Sequence, residues 1–495
     1  MYDEKLGYDP EDANSIYNYA LNLKGKTFDN IIKAKSLATP ERMKAYNNLA
    51  RKGGLGNLLE EVFFGYGANS DQAPDFPEAG MELKVTPFQI LKNGQLSAGE
   101  RLVLTMISFS EPVEDDFYRS HAWQKMAKIL LIYYHRDKEI LDRYKNNLFY
   151  KIHFVNLFTP PQKDLLIIKQ DYDLIINKIR SGLAHELSEA DTYYLGACTK
   201  GASSKSVVKQ YYGNHEEAMT RAFCFKTKYM TYVLRNYIVP GEQKEESIIT
   251  NVVELQSNSL ADIIAKRLIP YAGMLIDNPL KQYEVNPKKD KSYNSTLVHR
   301  MLGIKGNNAE EFVKAGITLK TIRINKKGSI EQHFRLYDVK LKELAKEESW
   351  EDSELYEYLS TTQMLLIVFR ETDEGYVFKG SQLWHVPVKD LVTIGEGWDA
   401  VHKCLNEGVV LTPVVQANGK TIVKNNLPGT KDNPIFHIRP HATLGFSRLS
   451  DGSEYGSGSI SNSDELPDGQ LMTKQSYWLH KNYILSQLND DLKNG

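Results

Sequence analysis

The sequence is poor in cysteine and contains no long hydrophobic run. Its three cysteines, Cys198, Cys224 and Cys404, are scattered and odd in number, which excludes a paired disulfide framework and a CxxC zinc site and fits a reducing compartment. No apolar stretch approaches the roughly 18 residues that a membrane span needs, and no signal peptide is recognisable. We therefore expect a cytoplasmic protein without a membrane partner.

The sequence also lacks an excess of charge of either sign. Lysine and arginine together number 61 and aspartate and glutamate 63, which gives a formal net charge of -2. Any contact with nucleic acid must therefore rest on local basic clusters, since there is no global positive field. This balance argues weakly against a nucleic-acid partner.

One short stretch carries the residues of a possible metal site. In residues 73–88, APDFPEAGMELKVTPF, Asp75 is followed after seven residues by Glu82, and Lys84 comes two positions later. The alternation of apolar and polar residues predicts a strand with Glu82 and Lys84 on one face. Carboxylates bind a divalent cation, and an ammonium group beside them can position a reacting water. We interpret the stretch as a nuclease active site.

The remaining patterns predict a mixture of helices and strands. Apolar residues recur at spacings of three and four through the first 60 residues and again in residues 171–188, as in amphipathic helices. Residues 101–109, RLVLTMISF, predict a strand, and residues 123–135, WQKMAKILLIYYH, predict a strand buried in the middle of a sheet. The expected fold class is α/β, with one central mixed sheet flanked by helices in each domain.

The pattern then repeats in the second half of the chain. Residues 309–324, AEEFVKAGITLKTIRI, align with residues 73–88 at an offset of 236, and MLLIVFR at 364 aligns with ILLIYYH at 129. Further matches at offsets of 238 to 254 keep the same order. A length of 495 residues also exceeds one ordinary core. We predict a tandem duplication with domains at 1–240 and 255–495, joined by a linker at 241–254.

The second copy fails at the acidic positions. Glu311 aligns with Asp75, Thr318 with Glu82, and the lysine is kept as Lys320. One glutamate and one threonine cannot supply the oxygen ligands and negative charge that hold Mg²⁺ well. The first domain is therefore expected to be catalytic and the second to be a degenerate binding or effector domain.

The sequence GNLLEEVFFGYG at residues 56–67, followed by the D-x6-E-x-K spacing, resembles the MutH-like endonucleases, a branch of the PD-(D/E)xK nucleases. Two such copies resemble the single-chain type II restriction enzymes of that group, in which the second domain binds another DNA site as an allosteric effector. The resemblance implies Mg²⁺-dependent cleavage of double-stranded DNA at 5′-GATC-3′. It also implies a DNA-induced homodimer and a cognate DNA methyltransferase that protects host DNA.

The same resemblance assigns roles to individual residues. Asp75 and Glu82 would be metal ligands, with the carbonyl of Leu83 as a third. Lys84 would position or activate the attacking water, and Lys125 matches a second lysine of the family's site. A lysine at the start of a buried strand could equally extend to the surface with its stem packed inside, so Lys125 has this structural alternative.

The helix glutamate of the family has two candidates. Glu60 keeps the family's spacing from Gly56, whereas Glu61 keeps the spacing to the glycine that ends the helix and to Asp75. Helical phase does not separate them, because at about 100° per residue both lie roughly 130° from the centre of the apolar face, on opposite sides. We prefer Glu61 as the catalytic residue, since two spacings support it and its counterpart in the second copy is His299.

Basic segments interleaved with serine, threonine, glycine and aromatic residues suit contacts with phosphates and base edges better than a plain solvated surface. By resemblance they lie where the family reads its DNA sequence. The candidate DNA-binding residues are Thr199, Lys200, Lys205, Lys209, Arg221, Lys226 and Lys228 in the first copy, and Arg439, His441, Lys474 and Lys481 in the second.

Two other functions compete with a restriction enzyme. A mismatch-repair nickase of the MutH type would make single-strand cuts when activated by partner proteins, but such an enzyme has a single domain. A regulator that binds GATC without cutting would have two inactive sites. The intact set of Asp75, Glu82 and Lys84 argues against the regulator, and the duplication argues against the nickase.

Overall fold

The structure of the protein is a computed structural model, and it describes residues 6–35, 39, 41, 44, 46, 47, 54–66, 73–201, 206–239, 245–276, 293–441 and 444–493. Contacts divide the chain into a first unit, Met1–Ile263 with Ile304–Ile317, and a second unit, Ile264–Gly303 with Thr318–Gly495. Residues 255–263 and 304–317 thus lie with the first unit. The functional division at 241–254 stays a prediction, and residues 241–244 lie outside the described part.

The helices are short except for two. In chain order they are α1 (Ala13–Ala20), α2 (Phe28–Ala34), α3 (Gly54–Leu58), α4 (His121–Met126), α5 (Lys138–Tyr144), α6 (Gln162–Arg180), α7 (Thr227–Tyr232), α8 (Glu254–Ser257), α9 (Leu260–Leu268), α10 (Tyr293–Met301), α11 (Glu310–Ala315), α12 (Leu341–Leu344), α13 (Glu354–Thr361), α14 (Val388–Glu407), α15 (Lys481–Gln487) and α16 (Asp490–Lys493). Turns of π-helix continue α3 at Leu59–Phe64 and α7 at Val233–Ile238. Among the described helices, none has the length and apolar character needed to cross a bilayer.

The strands of the first unit form three sheets. They are β1 (Glu82–Ile90), β2 (Leu96–Ala98), β3 (Leu102–Ile107), β4 (Ile129–His135), β5 (Lys151–Phe158), β6 (Leu195–Thr199), β7 (Val207–Lys209), β8 (Glu217–Met219) and β9 (Arg221–Phe225). The largest sheet has the order β2-β1-β4-β5, in which β1 and β4 are parallel and the other pairs antiparallel. The sheet is therefore mixed, as the sequence predicted.

Two details differ from the sequence expectation. The strand within residues 101–109 is β3, which belongs to a separate antiparallel sheet of order β3-β9-β6, because β2 already occupies the free edge of β1. Residues 123–126 end helix α4, whose N-cap Ser120 accepts a hydrogen bond from the amide of Trp123, and the buried strand starts only at Ile129. Its first six residues are buried, as a central strand requires.

The second unit repeats this topology. Its strands are β10 (Thr318–Ile324), β11 (Phe334–Asp338), β12 (Met364–Thr372), β13 (Gly375–Trp384), β14 (Thr412–Val415), β15 (Thr421–Lys424), β16 (Phe436–Pro440), β17 (Phe446–Arg448), β18 (Glu454–Gly456), β19 (Ser463–Glu465), β20 (Leu471–Thr473) and β21 (Gln475–Leu479). The orders β10-β12-β13 and β11-β21-β16 match β1-β4-β5 and β3-β9-β6. Strands β17 to β20 form a small additional sheet in the glycine- and serine-rich segment. The α/β class and its duplication are confirmed.

Helix α11 joins the first unit through buried charges. The ammonium of Lys314 is 1% exposed and pairs with Asp164 of α6 and with Glu310. Tyr229 and Tyr237 donate hydrogen bonds to the same aspartate.

Glu311, the counterpart of Asp75, is buried in this cluster as well. It pairs with Lys163 at 2.9 Å and accepts hydrogen bonds from the Ser247 hydroxyl and the Ile248 amide. Because each of these charges has a partner, the cluster can remain buried.

Removing one member of this cluster should destabilise the first unit. In Lys314→Met the carboxylate of Asp164 loses its buried cation, and breaking such a pair costs about 3–5 kcal/mol. We expect a fall of several degrees in the thermal midpoint measured by circular dichroism. Lys346→Met removes an exposed lysine whose ion pair with Glu343 is open to solvent, and should leave the midpoint nearly unchanged. An equal effect of both substitutions would contradict this account.

Candidate active site

The helix before the catalytic strand changes its winding where it carries the two glutamates. Helix α3 is followed by a π-helical turn over Leu59–Phe64, which ends at Gly65 in the left-handed region with φ of 79°. A π-turn shifts the phase of all side chains after it. This shift explains why the regular α-helical spacing did not separate Glu60 from Glu61.

Asp75 and Glu82 meet across the turn that leads into β1. The amide of Leu83 donates a hydrogen bond of 2.9 Å to the Asp75 carboxylate, and the amide of Asp75 lies 3.3 Å from a Glu82 carboxylate oxygen. These reciprocal contacts fix both carboxylates at the start of the strand. The structure thus brings together the two predicted metal ligands and places the Leu83 main chain beside them.

Two lysines hold the Glu82 carboxylate from opposite sides. Lys84 Nζ lies 2.7 Å from one carboxylate oxygen, and Lys125 Nζ lies 2.8 Å from the other. Lys125 also donates a 2.6 Å hydrogen bond to the carbonyl of Ala73. It reaches the site from the last turn of α4, because β4 pairs with β1 in parallel with Glu82 opposite Ile129. Lys125 is therefore a buried part of the cluster, not a surface lysine.

The crowding of carboxylates raises proton affinities at the site. Burial, together with the nearby charge of Glu82, raises the pKa of Asp75. Burial and the neighbouring carboxylate of Asp75 raise the pKa of Glu60 to about 7. Tyr66 was not singled out in the sequence, yet its hydroxyl is buried without a hydrogen-bond partner among the described residues, and burial with the Asp75 charge raises its pKa.

This donor set fits a divalent cation. Hard divalent ions prefer carboxylate and carbonyl oxygens, and the site offers Asp75, Glu82 and the carbonyl of Leu83. The raised pKa values of Asp75 and Glu60 indicate excess negative potential that a bound cation would relieve. A divalent metal is also what the resemblance to the MutH-like endonucleases implies for this site.

The structure places the two helix glutamates in different surroundings. Glu60 is half-buried and is affected electrostatically by Asp75, Lys84 and Glu82. Glu61 is exposed, and its carboxylate accepts a hydrogen bond from the hydroxyl of Tyr46. The catalytic role of Glu61 stays a prediction, but the charge of the site acts on Glu60.

The second unit has the same scaffold without the acids. Strand β10 pairs with β12 in parallel, with Thr318 opposite Met364, as Glu82 is opposite Ile129. Lys320 donates instead to the main-chain carbonyl of Arg335, and burial lowers the pKa of Lys320 to about 8.

The other two counterparts also lack acidic groups. His299, which aligns with Glu61, forms a hydrogen bond with the Ser295 carbonyl. Ser360, which aligns with Lys125, donates a hydrogen bond to the Glu357 carbonyl. The described side chains at these four positions form no acidic metal site.

The predicted DNA-binding residues of the first unit fall into two groups. The exposed residues are Thr199 at the end of β6, Lys209 at the end of β7 and Lys228 in α7, with Lys200 half-buried. Lys226 and Arg221 are buried instead, and donate to the carbonyls of Thr192 and Ala197. Lys205 lies outside the described residues. A DNA contact by either buried residue remains a prediction and would require its side chain to move.

One of the predicted DNA-binding residues of the second unit, His441, lines a cavity that carries several cationic side chains. The Arg439 guanidinium lies 4.2 Å from the centre of the Trp478 ring, and the exposed His441 lies beside the same ring. A cavity of about 330 Å³ is lined by Lys320, Arg323, Arg335, His441 and Trp478, among others. Lys474 is exposed and Lys481 half-buried. The geometry suits an anionic ligand such as a phosphate backbone.

Comparison with known proteins agrees with this geometry. Residues 64–171 match the family model described as DNA mismatch repair enzyme MutH. The chain is 35% identical over 477 residues to the type II restriction enzyme Sau3AI of Staphylococcus aureus, covering 89% of this chain and 93% of that protein. It is 26% identical over 229 residues to the DNA mismatch repair protein MutH of Shewanella woodyi, covering 46% of this chain and 93% of that protein.

The two relatives differ in how much of this chain they match. The shorter MutH protein accounts for 46% of the chain, whereas Sau3AI spans both units. The chain therefore belongs to the MutH-like endonucleases, in the two-unit form represented by the type II restriction enzyme Sau3AI.

Proposed function

We propose that the protein hydrolyses double-stranded DNA at 5′-GATC-3′ with Mg²⁺ in its first unit, and that its second unit binds another copy of the sequence as an effector. The observation that carries the proposal is the Glu82 carboxylate, held between Lys84 and Lys125 next to Asp75. The described residues of the second unit lack this arrangement, and its only acidic counterpart, Glu311, is bound within the first unit.

Each side chain of the site has a role in this chemistry. When bound by Asp75, Glu82 and the Leu83 carbonyl, Mg²⁺ supplies charge stabilisation for the scissile phosphate and lowers the pKa of a bound water. Lys84 orients the attacking water, since its ammonium is half-buried next to the carboxylates. Lys125 holds Glu82 in position and limits the repulsion between the two acids.

We assign the helix glutamate of the site to Glu60 rather than to Glu61. Its raised pKa reports the Asp75 and Glu82 charges, so its carboxylate is close enough to respond to whatever binds there. Glu61 is exposed, and its carboxylate accepts a hydrogen bond from the hydroxyl of Tyr46. Glu60 would bind a metal-held water and help to orient it.

The second unit serves DNA binding in this proposal. Its cavity is lined by Lys320, Arg323, Arg335 and His441, and Arg439 lies over the ring of Trp478, which also lines the cavity. A single catalytic site per chain requires two chains or two successive nicks to cut both strands of a palindrome. Binding of a second site would promote that step, with reciprocal coupling between the two DNA copies. A cognate methyltransferase would protect host DNA.

Substituting Glu82 should separate cutting from binding. In Glu82→Gln the site keeps its size but loses one charged ligand, so we expect cleavage of a GATC-bearing plasmid with Mg²⁺ to fall by about 10³-fold or more, with binding largely retained. The matched control is Glu78→Gln, an exposed residue of the same turn. Cleavage is followed on agarose gels and binding by gel shift in Ca²⁺. Normal cutting by Glu82→Gln would show that the site is misplaced, and cutting outside GATC would refute the sequence assignment.

Glu60 and Glu61 can be distinguished by stability as well as by activity. A carboxylate whose folded pKa is raised to about 7 destabilises the fold once it ionises, so this loss develops as pH rises from the unfolded value near 4.5 through 7. Glu60→Gln should therefore raise the thermal midpoint in EDTA at pH 8 and have little effect at pH 4. Cleavage of a GATC-bearing plasmid should fall more with Glu60→Gln than with Glu61→Gln, and the reverse order would return the role to Glu61.

The effector role predicts a response to DNA supplied separately. A plasmid with one GATC site should be cut faster when a short duplex containing GATC is added, and a two-site plasmid should need no addition. Arg439→Ala should abolish the stimulation but preserve unstimulated cleavage. Lys420→Ala, an exposed residue of the β14–β15 hairpin, is the control and should behave as wild type. Equal rates on all substrates would refute the effector role while leaving the catalytic proposal intact.

A further inference from the structure

Three histidines of the second unit converge on one face of a sheet. His333 precedes β11, His437 lies in β16 and His480 follows β21. Phe334 and Phe436 both pair with Leu479, which places His333 opposite His480 and His437 opposite Trp478. Residues directly opposite each other share a face, and so do positions two apart on a strand. The pairing register alone therefore gathers the three imidazoles.

The ring geometry brings their nitrogens together. The ring centres lie 4.7 Å apart for His333 and His437, 5.1 Å for His333 and His480, and 4.6 Å for His437 and His480. One ligand nitrogen from each ring lies within 4.8 Å of the others. In a tetrahedral zinc site with Zn–N near 2.1 Å, the nitrogens lie about 3.4 Å apart, so small ring rotations suffice.

The hydrogen bonds of these rings leave acceptor nitrogens unused. Both ring nitrogens of His437 and Nε2 of His480 are buried without a partner among the described residues. The main chain of Phe436 bonds to the other side of the His480 ring, which orients Nε2 as a free acceptor. A carbonyl behind a histidine is the usual support of a metal-binding imidazole. Nδ1 of His333 receives only a long 3.3 Å contact from the Lys481 amide.

The corresponding position in the antiparallel sheet of the first unit holds charged side chains instead of histidines. By register, the counterparts of His333, His437 and His480 are Arg101, Gly196 and Lys226. Glu189 enters between them: it pairs with Arg101 at 2.5 Å, and a side chain at Gly196 would meet its Cγ at 2.6 Å.

Cations thus surround an acid in the first unit, whereas electron-pair donors surround the corresponding place in the second. The group that would complement the three histidines of the second unit is therefore a cation.

We propose that His333, His437 and His480 form a binding site for a divalent transition-metal ion, with Zn²⁺ as the best match. Imidazole nitrogens suit zinc and its neighbours in the transition series, whereas Mg²⁺ requires oxygen ligands. The nearby cations Arg439 and Lys481 repel any divalent ion, so coordination by the imidazole nitrogens must outweigh that repulsion. The ion would tie together the ends of β11, β16 and β21.

The test uses the full chain without a histidine tag. After incubation with Zn²⁺ and dialysis, wild type should retain about one zinc per chain by mass spectrometry and should melt several degrees higher than in EDTA. Co²⁺ in place of zinc should give the visible absorption of a tetrahedral nitrogen site. Glu82→Gln should keep the zinc, which separates this site from the catalytic carboxylates.

His333→Ala and His437→Asn should lose the zinc, the cobalt absorption and the stabilisation. His402→Ala, which changes a histidine on α14 outside the cluster, is the matched control and should keep all three. Because His333 is half-buried, its variant should melt like metal-free wild type in EDTA, which verifies folding. Retention of zinc by His333→Ala, or its absence from wild type, would overturn the proposal. Neither outcome bears on DNA cleavage by the first unit.

Discussion

The Glu82 carboxylate is the charge around which the first unit is arranged. It is 2% exposed, and a buried carboxylate persists only when cations or hydrogen-bond donors compensate it. Lys84 arrives from the same strand, but Lys125 comes from a helix 43 residues away in sequence. It reaches Glu82 only because β1 and β4 are parallel and in a fixed register. A shift of that register by one residue would turn Glu82 to the other face of the sheet and break its ion pair with Lys125, while Lys84 of the same strand would turn with it.

The second unit shows how the same strand pairing behaves when the residue aligned with Glu82 is not acidic. Threonine at 318 removes the charge, and Lys320 turns to main-chain carbonyls with its pKa lowered to about 8 by burial. The parallel register survives, since the buried apolar residues of β12 still require it. Glu311 has meanwhile become part of a different charge cluster, with Lys163 and Ser247 in the first unit. The scaffold is therefore separable from the charges at Asp75 and Glu82, since the second unit keeps the strand pairing without them.

Much of this arrangement could be predicted from the sequence because it depends on local patterns. Alternation around Glu82 specified the strand, and the repeated order of motifs specified the duplication. Other features depend on contacts that no local pattern encodes. The π-turn changed the direction of the side chains at Glu60 and Glu61, and β3 joined a separate sheet with β9 and β6 instead of one central sheet. The burial of Lys226 depends on a distant carbonyl, that of Thr192.

The two copies also differ in the polar groups that fill the end of the antiparallel sheet. At the end of the antiparallel sheet the backbone leaves a space that must hold a polar centre. The first copy fills it with Glu189, for which Gly196 provides the room and Arg101 the counter-charge. The second copy has His437 where a side chain would collide with Glu189 in the first, so the acid cannot be present there in the same position. Because the glycine and the acid are lost together, the histidines are better explained as a replacement of the whole cluster than as separate substitutions. In the first copy the positive charge at this place belongs to the protein's own residues. In the second copy the proposed metal ion supplies it, and the second copy therefore depends on that ion.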